Sequence, residues 1–248
     1  MRTLLRYPGG KSRAVKFLKE YIPDNVSEIC SPFFGGGSLE IALAKEGVRI
    51  YAYDAFDLLV EFWQSAMENP EELAEEVEKF FPLSSSKFRN TQTNIYNLPS
   101  KLERAAAFYA LNRSSFSGTT LSGGMSKGHP RFTKSSIDRL REFRSKNITI
   151  ENACFTDSIP KNNDKFLYCD PPYFIESSLY GIKGDAHTDF DHIRLSELLK
   201  EHDNWVLSYN DCDEIKELYK GYEIVYPKWN YGMNKSKNSS EILILNYK

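Results

Sequence analysis

Two consecutive prolines decide where one strand of this chain has to stop. The apolar run Lys165-Phe166-Leu167-Tyr168-Cys169 reads as a buried strand, and Asp170-Pro171-Pro172-Tyr173 follows it directly. Proline lacks the N–H that a sheet ladder needs and fixes φ at about −65°, so the strand ends at Asp170. An acidic group, two rigid carbonyls and the rings of Tyr173 and Phe174 are therefore held at the carboxyl end of a strand. That end is where open α/β sheets bind ligands. A planar amine fits such a place, its hydrogens donated to Asp170 and the Pro171 carbonyl while Tyr173 covers its face. The same tetrapeptide also serves as an ordinary strand-to-loop exit, so the rest of the chain has to choose.

A second strand-end feature lies near the start. Residues 26–30 read as a short strand that enters Pro32-Phe33-Phe34-Gly35-Gly36-Gly37-Ser38, then an amphipathic helix over 39–44. Glycines between a strand and a helix let a cofactor approach the backbone at the helix N-terminus. The nicotinamide fingerprint needs a small residue where Glu40 stands, so that match is poor. Strand 49–53 follows and ends in Asp54, about 17 residues past the glycines, where an acid binds ribose hydroxyls. Glycine turn plus ribose acid points to an adenosine-containing cofactor; the alternative is a plain tight turn. Upstream, Tyr7-Pro8-Gly9-Gly10-Lys11-Ser12 imitates a phosphate-binding loop, but Leu5 occupies the position that would need glycine. Nucleoside triphosphate binding is rejected there, and a turn that carries Lys11 to an anionic group is retained.

The net charge of −2 conceals a segregation. Residues 54–79 hold nine acids and one lysine, whereas 84–150 hold twelve Lys/Arg and three acids. One region is then expected to face a polyanion while the acidic segment faces elsewhere; the alternative is two ordinary solvated faces. Helices are expected over 58–67, 70–81, 101–112 and 136–145, with loops at 84–86 and 91–94. Residues 113–132, rich in Ser, Thr, Gly and basic side chains, read as an irregular loop or β-ribbon able to contact phosphates and base edges. Arg139, Arg141 and Arg144 cannot share one helix face. The α/β alternation resumes with strands 147–151 and 205–210, helices 191–202 and 211–219, and a closing hairpin of 222–226 with 242–247. Residues 174–190 form a polar, aromatic loop placed to close over a site, and Lys228, Lys235 and Lys237 offer a second phosphate contact. Neither the four cysteines (Cys30, Cys154, Cys169, Cys212) nor the four histidines (His129, His187, His192, His202) have metal-ligand spacing, so no metal is expected. No apolar run approaches the roughly 20 residues of a membrane helix, and the N-terminal apolar stretch is too short for a signal peptide. A reducing cytoplasm is the expected setting, with no membrane partner.

Taken together, Tyr-Pro-Gly-Gly-Lys, Pro-Phe-Phe-Gly-Gly-Gly, Asp54, Asn112-Arg113-x-x-Phe116-x-Gly118, Asp-Pro-Pro-Tyr and Ser208-Tyr209-Asn210-Asp211 resemble, in order, a Dam-type DNA adenine-N6 methyltransferase of the D12 class, α group. The resemblance spans almost the whole chain. It implies a Rossmann-like α/β methyltransferase sheet of seven strands, mostly parallel with an antiparallel C-terminal hairpin. It also implies a catalytic domain over 1–57 and 146–248 and a mainly helical target-recognition insertion over 58–145. The implied cofactor is S-adenosylmethionine, bordered by Tyr7, Lys11, Pro32, Phe33, Gly35, Gly37, Ser38, Asp54, Phe155 and Asp170, with Phe155 on its adenine. Asp170, Pro171, Pro172 and Tyr173 are the implied catalytic set, acting on an adenine flipped out of duplex DNA. Arg113, Ser117, Thr119, Lys127, Arg131 and Lys134 are the implied DNA contacts. A cognate restriction endonuclease is a conceivable partner, and a monomer or weak dimer is expected. Two positions depart from the family pattern: Ser31 stands where an acid usually precedes Pro-Phe, and Cys154 where Asp usually precedes Phe155. Asn152 and Asp157 are the nearby groups able to substitute. The stretch 117–122 is unlike that of GATC-reading members, so another target is expected. The competing readings are an RNA adenine or protein amide methyltransferase, and a non-catalytic DNA-binding relative.

Overall fold

The computed structural model describes residues 3–126, 131–174, 190–227 and 241–247. Its strands are β1 (Glu28–Ser31), β2 (Arg49–Asp54), β3 (Ile148–Asn152), β4 (Phe166–Cys169), β5 (Trp205–Asn210), β6 (Glu223–Val225) and β7 (Glu241–Asn246). They form one sheet in the order β3-β2-β1-β4-β5-β7-β6. The first five run parallel; β7 lies antiparallel between β5 and β6, so the expected closing hairpin is present with its second strand inside. The chain proceeds outward from β1 to β2 and β3, then returns to β4 on the other side of β1. Between β1 and β4 the strand order reverses, and the crevice beyond their carboxyl ends is where this architecture receives ligands. The glycine turn follows β1 and Asp170 follows β4, so both features lie at that crevice.

The sheet is covered on both faces, which is why β4 and β5 read as continuous apolar runs without polar alternation. Successive residues still separate by face. Phe166, Tyr168 and Val206 enter one hydrophobic cluster; Leu167, Cys169, Trp205 and Leu207 enter the other. Helices α1 (Val15–Lys19), α2 (Ser38–Lys45) and α3 (Asp57–Glu68) cover the first face, continued by α4 (Pro70–Glu78), α5 (Ser85–Asn94), α6 (Lys101–Ser114) and α7 (Lys134–Arg141). Helices α8 (Phe155–Lys161), α9 (His192–Lys200) and α10 (Asp213–Leu218) cover the second. The hydrophobic cluster of the first face runs from Ile50 and Ile150 through Phe62 and Trp63 into Ala105, Ala106 and Ala107 of α6 without a break. The helical segment after β2 is thus built onto the sheet.

The structure corrects several local expectations. The stretches expected as loops at 84–86 and 91–94 belong to the cap and body of one helix, Ser85–Asn94: the Ser84 hydroxyl accepts from Lys87 N at the N-cap, and Phe88 and Thr91 are buried. The helix starting at 101 continues through Ser114, capped by reciprocal Ser100–Glu103 bonds. Phe155–Lys161 is a helix for which the sequence carried no expectation beyond Phe155 itself. Of residues 113–126, expected as an irregular loop or β-ribbon, those past the end of α6 take the irregular course, with a short 3-10 turn at Phe116–Gly118 and one antiparallel bridge between Ser115 and Met125. The charge segregation is also partly cancelled internally. Arg141 pairs with Glu78 at 2.8 Å, Arg144 with Glu71 at 3.3 Å and Arg104 with Glu61 at 2.6 Å, so the acidic α4 is the neighbour of the basic segment. Opposite charges separated in sequence meet in the fold, and those arginines are no longer free for a polyanion. The loop 175–189, Lys127, and Lys228, Lys235 and Lys237 lie outside the described residues.

Candidate active site

Three turns converge at the crevice. In the first, Gly10 N donates to Tyr7 O at 3.0 Å, with Gly9 at φ 70°, and the turn throws Lys11 inward. Lys11 is 4% exposed; its Nζ donates to Asp170 Oδ1 at 2.6 Å, Tyr173 OH at 2.7 Å and Gly9 O at 3.3 Å, and lies 3.7 Å from Glu241 Oε1. The anionic group sought for Lys11 is therefore the carboxylate that ends β4. Ser12 and Ser38 hydroxyls meet at 3.0 Å and tie this turn to α2.

In the second turn, Gly37 takes φ 61° as the residue before α2, and a side chain there would strike the Phe34 ring at 2.6 Å. Gly35 takes φ 47° with the Tyr7 ring packed against it, 2.9 Å from where a Cβ would stand. The Gly35 N–H donates to Asp54 Oδ2 at 2.9 Å, and its carbonyl accepts from Trp63 Nε1 at 3.0 Å. Asp54 accepts a second bond from Phe56 N at 3.0 Å. Burial nonetheless pushes its carboxyl up to about 6, against those two hydrogen bonds.

In the third turn, Asp170 leaves β4 into the two prolines. Burial raises its carboxyl above the usual range, and Lys11 is the first influence opposing that rise. Tyr173 OH donates to Glu241 at the start of β7 and is 3.3 Å from Ser208 Oγ on β5. The exit loop is clamped by Asn210, whose side chain accepts from Phe174 N and donates to Phe174 O, both at 2.9 Å. Lys11, Asp170, Tyr173, Ser208 and Glu241 thus form one polar cluster drawn from four parts of the chain.

These turns open into one cavity of about 580 Å³, lined by Tyr7 to Lys11, Pro32 to Glu40, Asp54, Phe155 and Asp170 to Tyr173. Every residue expected to border the cofactor is in that lining. At the Asp54 end, Phe33, Phe155 and Phe190 form an aromatic triangle with ring centroids 5.1–5.7 Å apart. Phe190, Glu241 and the buried Glu40 are the site residues to which sequence reading gave no place in the site, and Ser208 was named there only as part of a family motif. Glu40 could have been noticed as a charge inside an otherwise apolar stripe, whereas nothing in the local sequence marks Glu241. Asn152, one of the two suggested substitutes at the departures, uses its amide on Asp54 O at 2.9 Å; Cys154 is exposed.

Residues 7–233 match the D12 class N6 adenine-specific DNA methyltransferases. The chain belongs to that family. It is 24% identical to the DNA adenine methylase of Vibrio cholerae serotype O1, over 95% of this chain and 91% of the relative. Identity is 22% to the type II methyltransferase M.CviBI of Paramecium bursaria Chlorella virus NC1A, over 90% of this chain and 88% of the relative. It is also 22% to the retron Ec67 DNA adenine methylase of Escherichia coli, over 98% of this chain and 90% of the relative. This methyltransferase is accordingly an enzyme of DNA adenine methylation. Among the described residues, no helix is long and apolar enough to cross a membrane.

The DNA adenine methyltransferase presents only part of its expected DNA-contact set to solvent. Ser117, Arg131 and Lys134 are exposed and Thr119 is half-buried. Arg113 is not available: it is 9% exposed, and its guanidinium donates to Arg131 O at 2.8 and 3.1 Å and to Leu4 O at 3.4 Å. A planar five-donor group satisfied by main-chain carbonyls is holding segments together, so its expected role as a DNA contact is corrected to a structural one. Asn112 does the same at the preceding position, accepting from Arg6 N at 2.9 Å and donating to Arg6 O at 2.8 Å and Gly118 O at 3.2 Å. Gly118 has φ 83°, and a Cβ there would stand 2.1 Å from Arg6 O, so only glycine fits. Ser117 and Thr120 carry φ 54° and 52°, a strained turn held by Gln92, whose amide donates to three carbonyls between 2.8 and 3.0 Å. At its edge Phe116 is 69% exposed.

Proposed function

We propose that this methyltransferase transfers the methyl of S-adenosylmethionine to N6 of an adenine extruded from duplex DNA. The observation that carries the reading is Asp170: an acceptor at the end of β4, beside the rigid Pro171 carbonyl, opening into the same cavity as the glycine turn and Asp54. A flipped base has to be read in such a pocket by hydrogen bonds and an aromatic face. Asp170 and the Pro171 carbonyl accept the two hydrogens of the target amine, Pro172 keeps that carbonyl rigid, and Tyr173 covers the base.

When bound, S-adenosylmethionine supplies a methyl made electrophilic by the sulfonium. The residues do the rest. The amine's lone pair is conjugated with the ring until both N–H groups find acceptors. Those acceptors favour rehybridisation and stabilise the positive charge that develops at nitrogen, so they bind the transition state more strongly than the ground state. Lys11 keeps Asp170 in the ionised, accepting form against the effect of burial. Asp54 holds the ribose hydroxyls, and Phe33, Phe155 and Phe190 hold the adenine of the cofactor. Tyr7, Pro32, Gly35, Gly37 and Ser38 shape the wall around the methionine portion. The segment 58–145 serves as the target-recognition insertion, with Ser117, Thr119, Arg131, Lys134 and, outside the described residues, Lys127 on the DNA.

The test is transfer of labelled methyl from S-adenosylmethionine to a mixed-sequence duplex, with structured RNA as competitor. Label recovered as N6-methyladenine from the duplex is expected. No label in any duplex, or label preferentially in RNA, would refute the proposal.

A further inference from the structure

We propose that Glu40 is the receptor for the α-ammonium of the methionine portion of S-adenosylmethionine; the inference rests on the cofactor reading above. Glu40 is the third residue of α2, a position from which a glutamate ordinarily turns back to cap its own helix. Here the residue before the helix is Gly37 in the left-handed conformation, without a side-chain cap, and the carboxyl extends the other way. Its Oε1 accepts from Ser31 Oγ at 2.7 Å, which brings an acid to the end of β1 by way of the helix. Glu40 is 3% exposed yet lines the cavity. Among the described residues it forms no ion pair: the nearby ammonium of Lys11 is committed to Asp170, Tyr173 and Gly9. A carboxyl buried with only its own backbone N–H and one hydroxyl as partners is destabilising unless a cation completes it.

Position identifies the cation. The ribose acid Asp54 ends β2, and Phe155, with the Phe33 and Phe190 rings against it, follows β3, so these groups mark the β2–β3 side of the cavity. Glu40 occupies the β1–β4 side, with Lys11 and Asp170, where the methionine portion must lie if its methyl is to reach the amine above Asp170. The α-ammonium is the hydrogen-bonding cation of that portion, with three donors for a carboxylate. The groups facing Glu40 are its own backbone N–H and the Ser31 hydroxyl, which both favour the ionised form, and at longer range Asp170, which opposes it, and Lys11, which favours it. Burial outweighs the others and pushes the Glu40 carboxyl up to about 7. An ammonium beside it draws the proton off, so binding near neutral pH releases a proton and tightens as pH rises through that value.

The experiment compares S-adenosylhomocysteine, which keeps the amino-acid portion and lacks the sulfonium, with 5′-methylthioadenosine, which lacks both. Calorimetry on wild type and Glu40→Gln, in two buffers of different ionisation enthalpy, gives affinities and proton release. The amide oxygen of glutamine still accepts from Ser31, and the methylthioadenosine affinity reports that the pocket is intact. Asp54 titrates near 6 and touches both ligands, so the ratio of their affinities isolates Glu40. Expected are a loss of about tenfold or more in S-adenosylhomocysteine affinity in Glu40→Gln, no change for methylthioadenosine, and loss of the proton release that S-adenosylhomocysteine shows in excess of methylthioadenosine. An unchanged affinity ratio with unchanged proton release overturns the inference and leaves the cofactor reading standing. Wild-type protein that binds neither S-adenosylmethionine nor S-adenosylhomocysteine overturns both.

Discussion

Replacing Lys11 by methionine keeps the aliphatic stem and removes the ammonium from between two carboxylates. Lys11 is 4% exposed, Glu241 7% and the Asp170 side chain 22%, so little water is available to take its place. Removing one partner of a buried ion pair costs about 3–5 kcal/mol. Because Asp170 retains some solvent, the lower end, about 3 kcal/mol, is expected here. For a chain of 248 residues, each kcal/mol moves the melting point by about 2–4 °C, so Lys11→Met should melt about 6–12 °C below wild type near neutral pH. The loss should shrink in acid. Without Lys11 the largest influence opposing burial at Asp170 is gone and the Tyr173 hydroxyl alone still opposes it, so the carboxyl rises further above the unfolded value. The folded variant then binds more protons than the unfolded chain, and its stability increases as pH falls through that range. Adding Asp170→Asn removes one stranded charge and should recover part of the loss at neutral pH. Thermal denaturation of the three variants across pH checks this. A Lys11→Met protein that melts with wild type at every pH would refute the coupling of Lys11 to Asp170.

Burial pushes Asp54 up to about 6, so affinity for 5′-methylthioadenosine, which has no group for Glu40, should fall as pH drops below that value, and Asp54→Asn should abolish that dependence while weakening binding about tenfold; titration of fluorescence or heat measures both. Asn112→Ala strands buried main-chain groups of Arg6 and Gly118 and should cost roughly 3 kcal/mol in urea denaturation. The same variant should weaken duplex binding with cofactor affinity unchanged. Arg131→Ala with Lys134→Ala should lower the slope of log affinity against log salt by about 2 for duplex DNA, whereas Arg113→Ala should reduce stability and leave that slope where its surviving folded fraction puts it.

The order of elements was legible because each strand is a short apolar run ended by glycine, proline or acid. The turn after β1, Asp54 and Asp170 were found because chemistry and punctuation coincide at those positions. Helix α5 was not legible: Ser85–Asn94 is almost wholly polar and is helical because Phe88 and Thr91 find cover in the fold. The helix Phe155–Lys161 hid behind its proline and its uncapped start at Cys154. Charge misled for a related reason. A run of arginines in sequence gives no sign that Arg141 and Arg144 face Glu78 and Glu71, nor that Arg113 spends its donors on carbonyls. Glu241 is separated from Lys11 by nearly the whole chain and meets it only because β7 inserts beside β5. Long-range pairing of this kind leaves no local trace.

The most direct test of the account is methyl transfer by Asp170→Ala set beside its binding of duplex DNA. Asp170 accepts from the amine without carrying the fold's core, so the account predicts N6-methyladenine formation lowered by about a thousandfold or more, with duplex affinity close to wild type. Transfer that survives at a substantial fraction of the wild-type rate, or loss of folding and DNA binding together, would contradict a site in which the acid ending β4 governs the chemistry.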